Sequence, residues 1–133
     1  MKLSIIRKLI LCGLLTASTA QADAVDDLLA GYRSQGASAF SAAKGEAFWR
    51  REFPSSDGAK RACTSCHGSD PSQPGRHAVT SKAIDPMAPS LTPKRLTERG
   101  KVEKWFKRNC KWTVGRECNP QEKGDILSFL RNQ

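Results

Sequence analysis

Cys63-Thr64-Ser65-Cys66-His67 is the part of the chain whose residue types and spacing could do chemistry. It spells C-x-x-C-H, the attachment pattern for a c-type haem. Two thiols on one helical turn suit addition to the two vinyl groups of a porphyrin. The following imidazole then lies under the ring and offers a neutral nitrogen to the iron. One covalent haem c on Cys63, Cys66 and His67 is therefore expected. A C-x-x-C redox pair would sit in a thioredoxin-like βαβ setting, and no strand pattern surrounds these residues. A zinc site would want a second, closely spaced ligand pair, which Cys110 and Cys118 supply poorly.

The start of the chain says where such chemistry would take place. Lys2, Arg7 and Lys8 bracket an apolar run from Leu9 to Leu15, and Ala20-Gln21-Ala22 forms an A-x-A cleavage site. This reads as a secretory signal peptide over residues 1–22, since its apolar core is too short to cross a bilayer. Residues 23–133 are then expected as one exported monohaem domain with no membrane span after cleavage. The expected location is the periplasm, where c-type haem is attached. An uncleaved signal acting as an anchor is the alternative.

The formal net charge is +9 for 133 residues, of which the signal carries three. A basic chain commonly implies nucleic acid, but export argues against that partner. Steering toward an acidic redox partner, or a solvated basic surface with no such role, are the two readings left. Cys12 leaves with the signal. Cys63 and Cys66 are committed to thioethers, so Cys110 and Cys118 are expected to pair as a disulfide in an oxidising compartment, two free thiols being the alternative.

The elements that must hold the motif read as helices. One is expected over 24–34, with Val25, Leu28, Leu29 and Tyr32 on a stripe. A second is expected over 39–53, carrying Phe40, Ala43, Ala47 and Phe48 and stopping before Pro54. Gly45 inside it lowers helix stability, so a close approach by another element is expected. Residues 68–94 hold five of the seven prolines and no sustained period. They read as a loop wrapping the cofactor edge. A third helix is expected over 101–110, with Val102, Trp105 and Phe106 apolar. The last begins at Asn119-Pro120, where Glu122 completes a capping box, and buries Ile126, Leu127, Phe129 and Leu130. No strand of useful length is visible. The fold class is all-α, with haem forming much of the core of a domain too small to bury enough by itself.

This pattern resembles class I cytochromes c, in which N- and C-terminal helices cross. Ser41-Ala42-Ala43-Lys44-Gly45-Glu46-Ala47-Phe48 looks like the first partner of that crossing, and Asp125-Ile126-Leu127-Ser128-Phe129-Leu130 like the second. A closer resemblance covers residues 63–130. Pro86-Met87-Ala88-Pro89-Ser90, the run Val102 to Cys110, Gly115-Arg116-Glu117-Cys118 and Glu122-Lys123-Gly124-Asp125 are similar to the sphaeroides haem protein family of high-spin, oxygen-binding cytochromes c. That resemblance implies an asparagine side chain as distal iron ligand, here Asn109, beside a short Cys110–Cys118 disulfide loop. It implies a small gaseous ligand such as O₂ or NO, and redox partners that include a dihaem cytochrome c and a membrane cytochrome b.

Weighed from the residues alone, the sixth iron position has several candidates: Met87, His77, Asn109 or a lysine. Met87 is the default for electron transfer, because a thioether holds iron low-spin and raises its potential. It stands only twenty positions after His67, a short path around a porphyrin, and it reads equally as packing on the ring edge. His77 lies in a Gly/Pro-rich loop and reads as a surface residue. The amide oxygen of Asn109 is a hard, weak-field donor that would be released as iron becomes Fe(II), and its NH₂ would then donate to a bound ligand. A helix C-cap is the plain reading of the same residue. Trp49, Trp105, Phe106 and Trp112 are candidates to line the pocket, and Arg76, Lys107 and Arg116 candidates to pair with propionates. Three functions follow: a gas-binding redox cytochrome, an ordinary His67/Met87 electron shuttle, and a haem enzyme acting on NO, oxygen or peroxide. The enzyme ranks last, because no distal acid/base residue stands out.

Overall fold

The computed structural model describes residues 20–133, and of 20–23 only the backbone. Except for the backbone of its last three residues, the signal-peptide reading for residues 1–22 falls outside this range.

Among the described residues five helices occur in chain order: α1 (Ala20–Ser34), α2 (Ala42–Arg50), α3 (Thr64–His67), α4 (Arg99–Val114) and α5 (Pro120–Leu130). The predominance of helix agrees with the all-α expectation, but the absence of strands does not. Four two-residue strands form two antiparallel pairs, β1 (Phe53–Pro54) with β2 (Lys60–Arg61), and β3 (Gly75–Arg76) with β4 (Ala83–Ile84). Each is too short to show an alternating pattern in sequence.

The core is built where α2 crosses α5. Gly45 makes the crossing close: a methyl group there would run into the Asp125 carbonyl and press on Cβ of Phe129. Gly124 serves the same end from the other helix, its Cα facing the ring of Phe40. The loss of helix propensity at both positions is offset by this approach. Polar bonds fix the register. The Ser41 amide donates to the buried Asp125 carboxylate at 2.7 Å, and the Gln121 amide group donates to the same oxygen at 3.0 Å. Around the crossing pack Val25, Leu28, Leu29 and Tyr32 of α1, Trp49 of α2, Leu96, Val102 of α4, and Ile126, Leu127, Phe129 and Leu130 of α5.

Helix ends follow local chemistry. The Ser41 hydroxyl caps α2 by accepting from the Lys44 amide. At α5, Asn119 accepts from the Glu122 amide, the Glu122 carboxylate accepts from the Asn119 amide, and Pro120 opens the helix, as its sequence predicts. The expected bounds 39–53 for α2 were too generous, since extended backbone at Arg51 ends it and β1 follows. The expected end of α4 at residue 110 was too early. The helix continues to Val114 and stops at Gly115, whose φ of +80° suits a residue without Cβ. Asn109 is therefore inside a helix, and its C-cap reading is wrong.

Candidate haem site

The attachment motif begins beside β2. Ala62 is buried, Cys63 stands just before α3, and the single turn Thr64–His67 brings Cys63, Cys66 and His67 round one axis. The Ala62 amide donates to the Ser65 hydroxyl at 2.9 Å, and the His67 amide to the Cys63 carbonyl at 3.1 Å. Gly68 then leaves the helix at φ +71°. These bonds tighten the turn on which both thiols sit. Burial pushes the Cys63 thiol up to about 12, so it stays protonated at neutral pH in the chain without cofactor.

His67 is set from behind by Trp49. The two rings lie 5.3 Å apart at 34°, and the indole Nε1 donates to the Gly68 carbonyl at 3.0 Å. Burial, with the charge of Arg95 adding to it, pushes the imidazole down to about 4. It is neutral at physiological pH, the form that binds metal. Its Nδ1 is buried with no hydrogen-bond partner among the described residues. Cys63 and Cys66 are free while Cys110 and Cys118 are bonded to each other. Two free thiols, a neutral imidazole on the same turn and an apolar surround fit a covalent haem.

Part of the loop from 68 to 94 packs against this turn. At Gly75 a methyl group would collide with the Cys66 carbonyl and crowd Cα of His67, so only glycine lets β3 pass so near. The Ala78 amide points at the Cys66 sulfur at 3.3 Å. Further on, the amides of Met87 and Ala88 both donate to the Pro71 carbonyl, at 2.8 and 3.0 Å. Arg95 donates to the carbonyls of Pro86 and Asp85 at 3.1 and 2.8 Å. Gly75 and Arg95 were not singled out from sequence. The only signal for either was the density of proline around them, which demands outside partners for loop backbone.

Met87 is half-buried and packs against the hydrophobic core. His77 is exposed, and its Nδ1 accepts from the amides of Val79 and Thr80 at 3.2 and 3.1 Å, closing the turn between β3 and β4. Asn109 stands seven residues after buried Val102, three after half-buried Phe106 and four before buried Thr113 on α4. It thus shares the stripe of this helix that faces inward. Its side chain is nevertheless exposed and has no hydrogen bond to any described residue.

The remaining candidates separate cleanly. Trp49 is core. Trp112 is half-buried under the Arg61 guanidinium, 4.5 Å above its ring, and Arg61 also donates to the Trp112 carbonyl at 3.2 Å. Arg61 thereby ties β2, two residues before Cys63, to the last turn of α4. Trp105 is 49% exposed. Arg116 is held by both oxygens of Glu122 at 2.7 and 2.8 Å, and Arg76 donates to the Ser81 carbonyl at 2.8 Å. Lys107 has no ion-pair partner among the described residues. Cys110 and Cys118 form the expected disulfide, with Cα atoms 5.6 Å apart. No helix among the described residues is long and apolar enough to cross a membrane.

Comparison with known proteins agrees with this geometry. A family model described as Domain of unknown function (DUF1924) matches residues 35–130. Cytochrome c-type protein SHP of Cereibacter sphaeroides is 40% identical over 106 residues, covering 80% of this chain and 81% of that protein. Cytochrome c'' of Methylophilus methylotrophus is 38% identical over 86 residues, covering 65% of this chain and 60% of the relative. Among solved structures, oxidized SHP, an oxygen binding cytochrome c, superposes with a TM-score of 0.72 at 38% identity, covering 82% of this chain and 96% of that one. Oxidized cytochrome c'' gives 0.76 at 32% identity, covering 86% and 95%. With a shared helical architecture and identity of this extent, the chain belongs to the sphaeroides haem protein family of c-type cytochromes.

Proposed function

We propose that this protein is an exported redox cytochrome that takes a diatomic gas at reduced iron, with Asn109 as a weak distal ligand given up on reduction. The observation that carries the reading is the inward-stripe position of an exposed, unpartnered Asn109 in a chain 40% identical to SHP. Export to the periplasm, with residues 1–22 removed, rests on the basic, apolar and A-x-A features of the leader. Haem supplies an iron that changes oxidation state and accepts a small ligand.

Cys63 and Cys66 would anchor the porphyrin and His67 would hold the iron from the proximal side, with Trp49 fixing the imidazole plane. The carboxamide oxygen of Asn109 is a hard donor, suited to Fe(III) and poorly to Fe(II). When not held by the iron, its NH₂ would be placed to donate to a small ligand such as O₂ or NO. Electron partners would be other cytochromes, a dihaem cytochrome c and a membrane cytochrome b among them.

Optical spectra of the purified holoprotein test the proposal. The ferrous form should bind CO without further change to the protein. Asn109→Ala should alter the ferric spectrum and leave ferrous CO binding intact, while Met87→Ala should alter neither. A low-spin ferrous form that excludes CO until Met87 is replaced would show an ordinary His67/Met87 shuttle instead.

A further inference from the structure

The outward face of α4 has a charge pattern that ligand binding does not require. Six cationic residues, Arg99, Lys101, Lys104, Lys107, Arg108 and Lys111, fall within its 16 residues, against the single acid Glu103. That acid is turned away, accepting from Tyr32 at 2.5 Å and from Lys123 at 2.7 Å. Lys101, Lys104, Lys107, Arg108 and Lys111 are all exposed. At helical spacing they lie opposite the stripe of Val102, Phe106, Asn109 and Thr113. Lys101 and Lys111 are balanced at the two ends by Glu98 at 2.5 Å and Glu117 at 3.4 Å. Between them Lys104 and Lys107 have no carboxylate partner among the described residues. At the edge of this face Trp105 is half exposed, with the Arg108 guanidinium 5.2 Å from its ring centroid.

We propose that this face of α4 docks an acidic electron-transfer protein. A row of unneutralised cations beside an exposed Trp–Arg pair has the make-up of a charge-steered contact with an aromatic anchor. A partner seated there would be separated from the Asn109 stripe by one helix diameter, about 10 Å. The same helix would then present the distal side chain inward and the docking cations outward. The inference rests on the redox part of the function above and names the surface that part would use.

The test uses flavodoxin, an acidic one-electron flavoprotein, as the probe donor, with the ferric holoprotein as acceptor. The second-order reduction rate should fall steeply as ionic strength rises. Lys104→Glu combined with Lys107→Glu should slow it by about tenfold at low salt. Lys44→Glu combined with Lys82→Glu, the same charge change on other elements, should slow it much less. Equal slowing by both pairs would mean that net charge alone steers the donor, and would overturn the assignment. So would an undiminished rate in the α4 variant, or a loss confined to its binding of anionic lipid vesicles. CO binding by each reduced variant is measured in parallel. Retained CO binding with no α4 effect sinks the docking surface and leaves the functional proposal standing.

Discussion

Trp49 and His67 form one unit: their rings lie 5.3 Å apart, and the Trp49 indole N–H is bonded to the Gly68 carbonyl just after the imidazole. Trp49 is also 6.1 Å from Phe129 in the α2–α5 core. The helix crossing and the candidate proximal ligand therefore share a side chain. Trp49→Phe removes the hydrogen bond and keeps most of the packing, so it should cost about 1 kcal/mol. Trp49→Ala should cost about 3–5 kcal/mol. Urea unfolding of the holoprotein checks both; equal losses would mean that the bond to Gly68 matters as much as the ring.

Gly45→Ala pits two effects against each other. Alanine favours helix by about 1 kcal/mol over glycine, but the methyl would enter the Asp125 carbonyl. The contact is with backbone and cannot be relieved by a rotamer change, so the clash wins. The expected result is a loss of about 2 kcal/mol or more, in the range of overpacked cores. Thermal unfolding at the wild-type midpoint or above would show that the helices do not approach as described.

The N-terminus of α5 should be sensitive to acid. The Arg116 guanidinium, and the Asn119 amide after it, hold the Glu122 carboxyl below the usual carboxylate range. A carboxylate with a lower pKa folded than unfolded adds stability that is complete above its unfolded value and fades as pH falls through the folded one. Glu122→Gln should therefore cost about 1 kcal/mol at pH 7. The two proteins should converge in stability in acid, as denaturant unfolding across pH would show. A gap that persists undiminished at the lowest pH would assign the effect to packing.

Opening the Cys110–Cys118 bond should loosen a defined segment. The two residues are eight positions apart, and a loop this small constrains the unfolded chain by about 2–3 kcal/mol. The pair Cys110→Ser and Cys118→Ser should lower stability by that order and speed amide hydrogen exchange over residues 111–118. Unchanged exchange there would mean that Gly115 and the α5 cap fix the turn without the bond.

Legibility of the sequence followed the range of the interactions. The C-x-x-C-H turn and the α5 capping box depend on residues three or four apart, and both stand where their residues placed them. The α2–α5 crossing was visible through Gly45 because a glycine within a helix needs a reason. The end of α4 was misread, since no strong stop signal stands at residue 110 and Gly115 five positions later is the true one. The β pairs are held by two residues each, below any detectable period. The position of Trp49 behind His67 was out of reach, because it joins residues 18 apart through a tertiary contact that no local rule encodes. Arg61 on Trp112 is hidden for the same reason.

The crossing of α2 and α5 has a consequence for biogenesis. Ser41 and Asp125 are bonded across 84 positions, so the crossing cannot close until α5 has been made. Residues 63–67 are synthesised well before that. Until α5 docks, both thiols belong to a more open chain and escape the burial that raises the Cys63 thiol. Docking of α5 against Trp49, the ring that backs His67, is then the step that closes the core behind the attachment turn.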